Sequence, residues 1–98
     1  MSKFAEGWQG LLGLCLESRD EKTLASLLDL ILTPEEKANL ATRYLIIKEL
    51  LQDEKPQREI AKDLNVSIAK ITRGSNELKR VDKKLLNFLK NKFANIRE

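Results

Sequence analysis

The sequence contains no histidine and a single cysteine, Cys15, among 98 residues. These shortages exclude the usual zinc sites, which draw their ligands from histidine and cysteine, and every histidine-dependent catalytic triad. One cysteine also forbids an intrachain disulfide, which fits a reducing cytoplasm. Cys15 falls between Leu12 and Leu16 on one helical face and reads as a small core residue. No apolar run approaches the roughly 18–20 residues that a bilayer-spanning helix needs. The opening MSKFAEGW lacks the basic start, apolar stretch and small-residue cleavage site of a signal peptide. Period-2 alternation and hairpin dipeptides of the Asn-Gly type are missing, so no strand is expected. Carboxylates are plentiful, but they stand beside lysines on helical faces and not in the Gly-rich or turn-rich settings that build pockets. The expectation is a cytoplasmic protein that is not an enzyme, with no metal, no cofactor and no membrane partner.

What is present is helical throughout. The length suits one small domain with a modest core. Phe4, Trp8, Leu11, Leu12, Cys15 and Leu16 recur at helical spacing, and Leu24, Leu27, Leu28, Ile31 and Leu32 form a shorter stripe after the polar turn Ser18–Lys22. A third helix opens at Thr33-Pro34-Glu35-Glu36, with Thr33 as N-cap, Pro34 at the first helical position and Glu36 where a capping box requires it. It runs to about Gln52, before a polar break ending at Pro56. A last helix from about Asp82 carries Leu85, Leu86, Phe88, Leu89, Phe93 and Ile96. The apolar stripes of the first, third and last helices are too wide for one small monomer to bury, which predicts an extensive homodimer interface. The fold expected is all-α: six short helices in a single domain over 1–98, with core and dimerisation helices at 4–52 and 82–96 and a DNA-reading head at 57–79.

Most of that head is the stretch Gln57 to Asn76, QREIAKDLNVSIAKITRGSN. Ile60, Ala61 and Leu64 give one helix an inward face, and Val66, Ile68 and Ile71 resume the apolar face on a second. Ala61 is small where the two helices would cross. Asn65 sits at the sharp turn, where a residue tolerant of positive φ is needed. Ser67 is placed to cap the second helix. Ala69, Lys70, Thr72 and Arg73 then point outward or sideways as small, hydroxyl and cationic groups suited to a groove wall. The pattern is that of a DNA-reading helix-turn-helix, and two-fold symmetry would set two recognition helices in successive major grooves about 34 Å apart.

Charge is distributed to match. Residues 1–54 carry six Lys/Arg against ten Asp/Glu, residues 55–80 seven against three, and residues 81–98 five against two. The basic excess begins at the helix-turn-helix, as a polyanion partner would require, although lysine-rich helices also serve simply as solvated surface. Gly74 interrupts the second helix and admits two readings. It ends the helix as a C-cap, or something approaches the backbone closely there. A flat ligand would do so, and Arg73 beside it offers a guanidinium plane or a carboxylate anchor.

Leu32-Thr33-Pro34-Glu35, Thr42-Arg43, Glu49-Leu50-Leu51, Gln57-Arg58-Glu59 and Ile71-Thr72-Arg73-Gly74-Ser75-Asn76 together resemble the tryptophan repressor family, densely from Leu24 to Lys79 and loosely at both ends. The resemblance implies an intertwined, all-helical homodimer that binds a palindromic operator only with L-tryptophan bound, lowering expression of tryptophan biosynthesis or uptake genes. It implies that Arg43 and Arg73 sandwich the indole, a sound cation–π arrangement. Arg73 would also meet the ligand carboxylate with help from the Thr33 hydroxyl, while backbone carbonyls of Leu30 and Leu32 would receive the ammonium and Gly74 would leave space for the ring. Taken singly, Arg43 also reads as a surface ion pair and Thr33 as a cap only. DNA contacts fall to Gln57, Arg58, Ile68, Ala69, Lys70, Thr72 and Lys79, with Arg58 the candidate for a direct guanine contact. The implied mechanism is a population shift: tryptophan wedges the head into the spacing that fits successive grooves, through its differential affinity for two arrangements. Two residues depart from the family pattern. Glu77 replaces a serine that helps hold the ammonium, and either pairs with that ammonium or points into solvent. Lys70 replaces a threonine at a DNA-facing position. Other readings of the same residues are a helix-turn-helix protein with a different effector or none, and a helical module whose basic face binds an acidic protein.

Overall fold

The computed structural model describes residues 2–96, which form six α-helices and, among the described residues, no strand. They are α1 (Lys3–Glu17), α2 (Glu21–Ile31), α3 (Pro34–Gln52), α4 (Gln57–Leu64), α5 (Ile68–Leu78) and α6 (Lys83–Ile96). The helices divide into two compact units, one up to Ala38 and one from Asn39 onward.

In the first unit, local capping defines each helix. Ser2 Oγ accepts from the Ala5 amide at 3.0 Å, opening α1. Asp20 opens α2 by accepting from the Thr23 amide at 2.7 Å and from the Thr23 hydroxyl at 3.0 Å. Those bonds, the backbone one foremost, favour the ionised form and hold the Asp20 carboxyl below the usual carboxylate range. At the start of α3 the expected capping box is complete. The Thr33 amide donates to Glu36 Oε1 at 2.8 Å, and the Glu36 amide donates to Thr33 Oγ1 at 3.1 Å. Lys37 pairs with Asp29. The apolar stripes, by contrast, find little cover: none of the described side chains of α1 or α2 is buried, and Phe4 and Leu30 are 79% and 83% exposed.

The second unit has a true core. Ile46 of α3, Ile60 and Ala61 of α4 and Ile71 of α5 are buried together, with Leu50, Leu64 and Val66 packed around them. Ala61 is small at the heart of the α4–α5 pair, as the crossing requires. The turn between these helices is a Schellman arrangement. Asn65 is left-handed (φ 56°, ψ 49°), its amide donates to the Lys62 carbonyl, and the Val66 amide reaches back to the Ala61 carbonyl at 3.0 Å. Ser67 then caps α5, accepting from the Lys70 amide at 3.3 Å. Asn65→Ala is expected to lower stability by about 1 kcal/mol, because alanine lacks the asparagine's tolerance of positive φ. Urea unfolding reads this as a lower midpoint, and an unshifted midpoint would count against the strain assigned to this turn.

The polar break between α3 and α4 is built as well. Asp53 adopts a second left-handed conformation (φ 51°) that stops α3. Lys55 Nζ bridges Glu49 at 3.2 Å and Asp63 at 2.7 Å, tying the end of α3 to the end of α4. Those two carboxylates, Asp63 first, stabilise the ammonium form and raise the Lys55 pKa above the ordinary lysine value. Asp82 opens α6 by accepting from the Leu85 amide at 3.2 Å, and Phe93 is buried edge-on to Tyr44 with ring centroids 5.8 Å apart.

Candidate ligand cavity and nucleic-acid interface

Within the second unit, α3 and α5 line a half-open cavity of about 490 Å³. On α3 its walls are Asn39, Thr42, Arg43, Ile46 and Ile47; on α5 they are Lys70, Arg73, Gly74 and Glu77. Both sets have helical i, i+3, i+4, i+7 spacing, so each helix presents one face to the space. The structure thus brings together Arg43, Arg73, Gly74 and Glu77, four of the seven residues expected around a ligand. Leu30, Leu32 and Thr33 lie in the first unit, at the junction of α2 and α3. Leu30 is exposed, Leu32 is half-buried and follows the last turn of α2, and Thr33 forms the capping box.

Of the two readings of Gly74, the C-cap is excluded, because α5 runs on to Leu78. The close approach is real, and its nearest partner is protein. A Cβ built on Gly74 would lie 3.0 Å from Ile46 Cγ2 and 3.4 Å from Leu50 Cδ1. Glycine therefore allows the backbone of α5 to lie against α3, and the cavity opens beside that contact. Among the described residues neither Arg43 nor Arg73 is ion-paired, so the surface-pair alternative for Arg43 finds no partner here. Two unpaired guanidinium groups line a half-open space of a size suited to a small molecule.

The expected DNA-contacting side chains lie at the opening of α4 and along α5. Gln57, Arg58, Ile68, Ala69, Lys70, Thr72 and Lys79 are all exposed. Thr72 Oγ1 donates to Gln57 Oε1 at 3.4 Å, which links the start of α4 to the middle of α5. Ile68 is 50% exposed at the first turn of α5, an apolar group where a thymine methyl could be met. Lys70 is the residue whose surroundings differ most from expectation. It is exposed, but it shares the face of Arg73, Gly74 and Glu77 and lines the cavity. Sequence reasoning did not assign Asn39, Thr42, Ile46 and Ile47 to this site; their spacing along α3, in step with Arg43, was the available signal.

The family model described as "Trp repressor protein" matches residues 6–93, which include every residue lining the cavity. The chain belongs to the Trp repressor family. Among its curated relatives, the "Trp operon repressor homolog" of Chlamydia trachomatis serovar D is 49% identical over 83 residues, covering 85% of this chain and 88% of the relative. The "Trp operon repressor homolog" of Chlamydia caviae is 45% identical over 85 residues, covering 87% and 84%. That of Vibrio vulnificus strain YJ016 is 46% identical over 72 residues, covering 74% and 71%. As a Trp repressor family member the chain keeps the all-helical architecture with a helix-turn-helix at α4–α5, and no helix among the described residues is long and apolar enough to cross a membrane.

Proposed function

We propose that this chain is an L-tryptophan-dependent transcriptional repressor that acts as a homodimer on a palindromic operator. The observation that carries this reading is that α5, the second helix of the helix-turn-helix, is itself one wall of the cavity. Whatever occupies the cavity touches the DNA-reading element directly, so ligand and operator are linked through one helix. The indole would lie between the guanidinium groups of Arg43 and Arg73, with Arg73 also holding the carboxylate. The roles of the Thr33 hydroxyl and of the Leu30 and Leu32 carbonyls, and the homodimer itself, enter this reading through the family resemblance. The exposed apolar faces of α1 and α2 support that assembly, since patches of this breadth are unusual on monomers. On DNA, Arg58 would read guanine O6 and N7, and Gln57, Ile68, Ala69, Lys70, Thr72 and Lys79 would supply the remaining contacts. The protein has no catalytic role and takes L-tryptophan as its only small-molecule partner, in the cytoplasm.

Two measurements test this together: calorimetric titration with L-tryptophan, and operator affinity with and without it. Saturable binding and a ligand-dependent gain for one palindromic duplex are expected. No heat and no gain would defeat the reading, and affinity for acidic proteins in place of DNA would favour an interaction module. Lys70 has a separate signature. Its four-carbon stem lets an ammonium at the cavity rim reach a phosphate. Lys70→Thr is then expected to flatten the slope of log K against log salt by about one unit. An unchanged slope would remove the phosphate contact.

A further inference from the structure

The second unit holds another, more open cavity of about 450 Å³, where the end of α3, the start of α4, the end of α5 and one face of α6 meet. Half-buried Leu50, Leu78 and Leu86 give it apolar sides, and its polar groups are mainly donors. Lys79 and Lys90 line it, both are exposed, and among the described residues neither has an ion-pair partner. Gln57 stands beside them. Its Oε1 already accepts from Thr72 Oγ1, which leaves its amide nitrogen to donate. Lys55 also lines the space, but Glu49 and Asp63 hold its ammonium. Against these donors stands one carboxylate, the exposed Asp53, likewise without an ion-pair partner among the described residues. Lys90, on α6, belongs neither to the helix-turn-helix nor to the cavity between α3 and α5.

We infer that this second cavity seats one backbone phosphate of bound DNA, and that Lys90 is a further DNA-contacting residue acting there with Gln57 and Lys79. The inference rests on the operator-binding reading and extends its interface from the helix-turn-helix onto α6. A phosphodiester presents anionic oxygens and no donor, which matches a space rich in donors and poor in acceptors. The first helix of a helix-turn-helix crosses the DNA backbone, and here that helix begins at Gln57. The leucine side chains lower the local dielectric, so an ammonium at their edge attracts a phosphate more strongly than it would in bulk water. A contact of this kind positions the protein without reading sequence. Asp53 opposes it, because its carboxylate borders the same space. Asparagine there would remove the charge and keep the tolerance of the left-handed backbone that Asp53 adopts (φ 51°).

The test measures binding of the purified 98-residue chain, with L-tryptophan present, to two duplexes over a range of salt concentrations. One is a palindrome selected from a random pool, and the other an unrelated duplex of mixed sequence. The variants are K90Q, K92Q and D53N, each checked for fold by circular dichroism. Lys92 lies about 200° round α6 from Lys90 and outside the cavity, so K92Q removes the same charge from the same helix. K90Q is expected to flatten the slope of log K against log salt by about one unit on both duplexes, and K92Q to leave it unchanged. The preference of K90Q for the palindrome and its L-tryptophan affinity should match the wild type, and D53N should bind both duplexes several-fold more tightly. An unchanged slope in folded K90Q, or equal flattening in K92Q, overturns the phosphate seat and leaves the repressor reading standing. A lost preference for the palindrome in K90Q overturns it too, since Lys90 would then read bases. No gain in D53N overturns the place given to Asp53 beside the phosphate. Saturable binding of inorganic phosphate without DNA, abolished in K90Q, would reassign the cavity to a free anion. If the wild type binds neither duplex, the DNA reading falls and this inference falls with it.

Discussion

Arg73→Ala is expected to weaken L-tryptophan binding by about two orders of magnitude and to remove the ligand-dependent gain in operator affinity. Two interactions are lost at once. A charge-assisted hydrogen bond to a carboxylate contributes roughly 1.5–3 kcal/mol, and a guanidinium stacked on an indole adds about 1 kcal/mol or more once water is displaced. Their sum of about 3 kcal/mol corresponds to roughly a hundredfold. Little stability should be lost, because Arg73 is exposed and among the described residues has no ion-pair partner. Calorimetry and thermal melting of the same preparation therefore separate the two effects. Arg73→Lys is informative beside it, since lysine keeps the charge but lacks the planar face that stacks. A fall for alanine with lysine near wild type would assign the site to charge alone. Wild-type affinity in both variants would place the ligand elsewhere.

The sequence was most legible where one residue has one local task. Asn65, Ser67, Thr33 and Glu36 act within four residues of themselves, through a left-handed turn, an N-cap and a capping box, and all four do in the structure what their spacing predicts. The helix-turn-helix core was legible for a related reason. Ile60, Ala61, Leu64 and Ile71 sit on two adjacent helices and Val66 in the short turn that joins them, so their packing is local, whereas Ile68, expected on the same apolar face, is 50% exposed. Features that depend on distant chain segments were not legible. Asp53 looked like any residue of a polar break, yet it takes a left-handed conformation. The Lys55 bridge needs Glu49 and Asp63 six and eight residues away on two different helices. Lys70 stands in register with Arg73, Gly74 and Glu77, but which face of α5 turns towards α3 is decided by packing against Ile46 and Leu50. For the same reason the sequence could name Arg43 and Arg73 as partners by resemblance, while the geometry that puts both on one cavity is a property of the α3–α5 contact.

Gly74 carries the heaviest burden in that contact, and Gly74→Leu is expected to abolish measurable L-tryptophan binding and to lower stability by about 2 kcal/mol. Helix propensity alone predicts the opposite sign, since almost any side chain improves on glycine in mid-helix by up to about 1 kcal/mol. The competing term is steric. A Cβ at this position already meets Ile46 Cγ2 at 3.0 Å, and Ile46 is buried, β-branched and stiff about χ1, so that methyl group cannot swing aside cheaply. Leu50 Cδ1 at 3.4 Å has more freedom to yield. Alanine therefore sits near balance, with its gain in propensity set against a small displacement of α5. Leucine adds three more carbons that must enter the core or the cavity. Overpacking a core of this kind costs roughly 1–3 kcal/mol, and a side chain that escapes into the cavity fills the space beside Arg73. Either route destroys the pocket, by moving its wall or by occupying it. The two are separable: urea unfolding records the strain, and calorimetry records the lost ligand. Ligand binding lost without destabilisation would put the leucine in the cavity, and both lost together would put it against Ile46. Wild-type tryptophan affinity in a folded Gly74→Leu protein would show that the ligand does not use the α3–α5 cavity, because no arrangement of that side chain leaves both Ile46 and the pocket undisturbed.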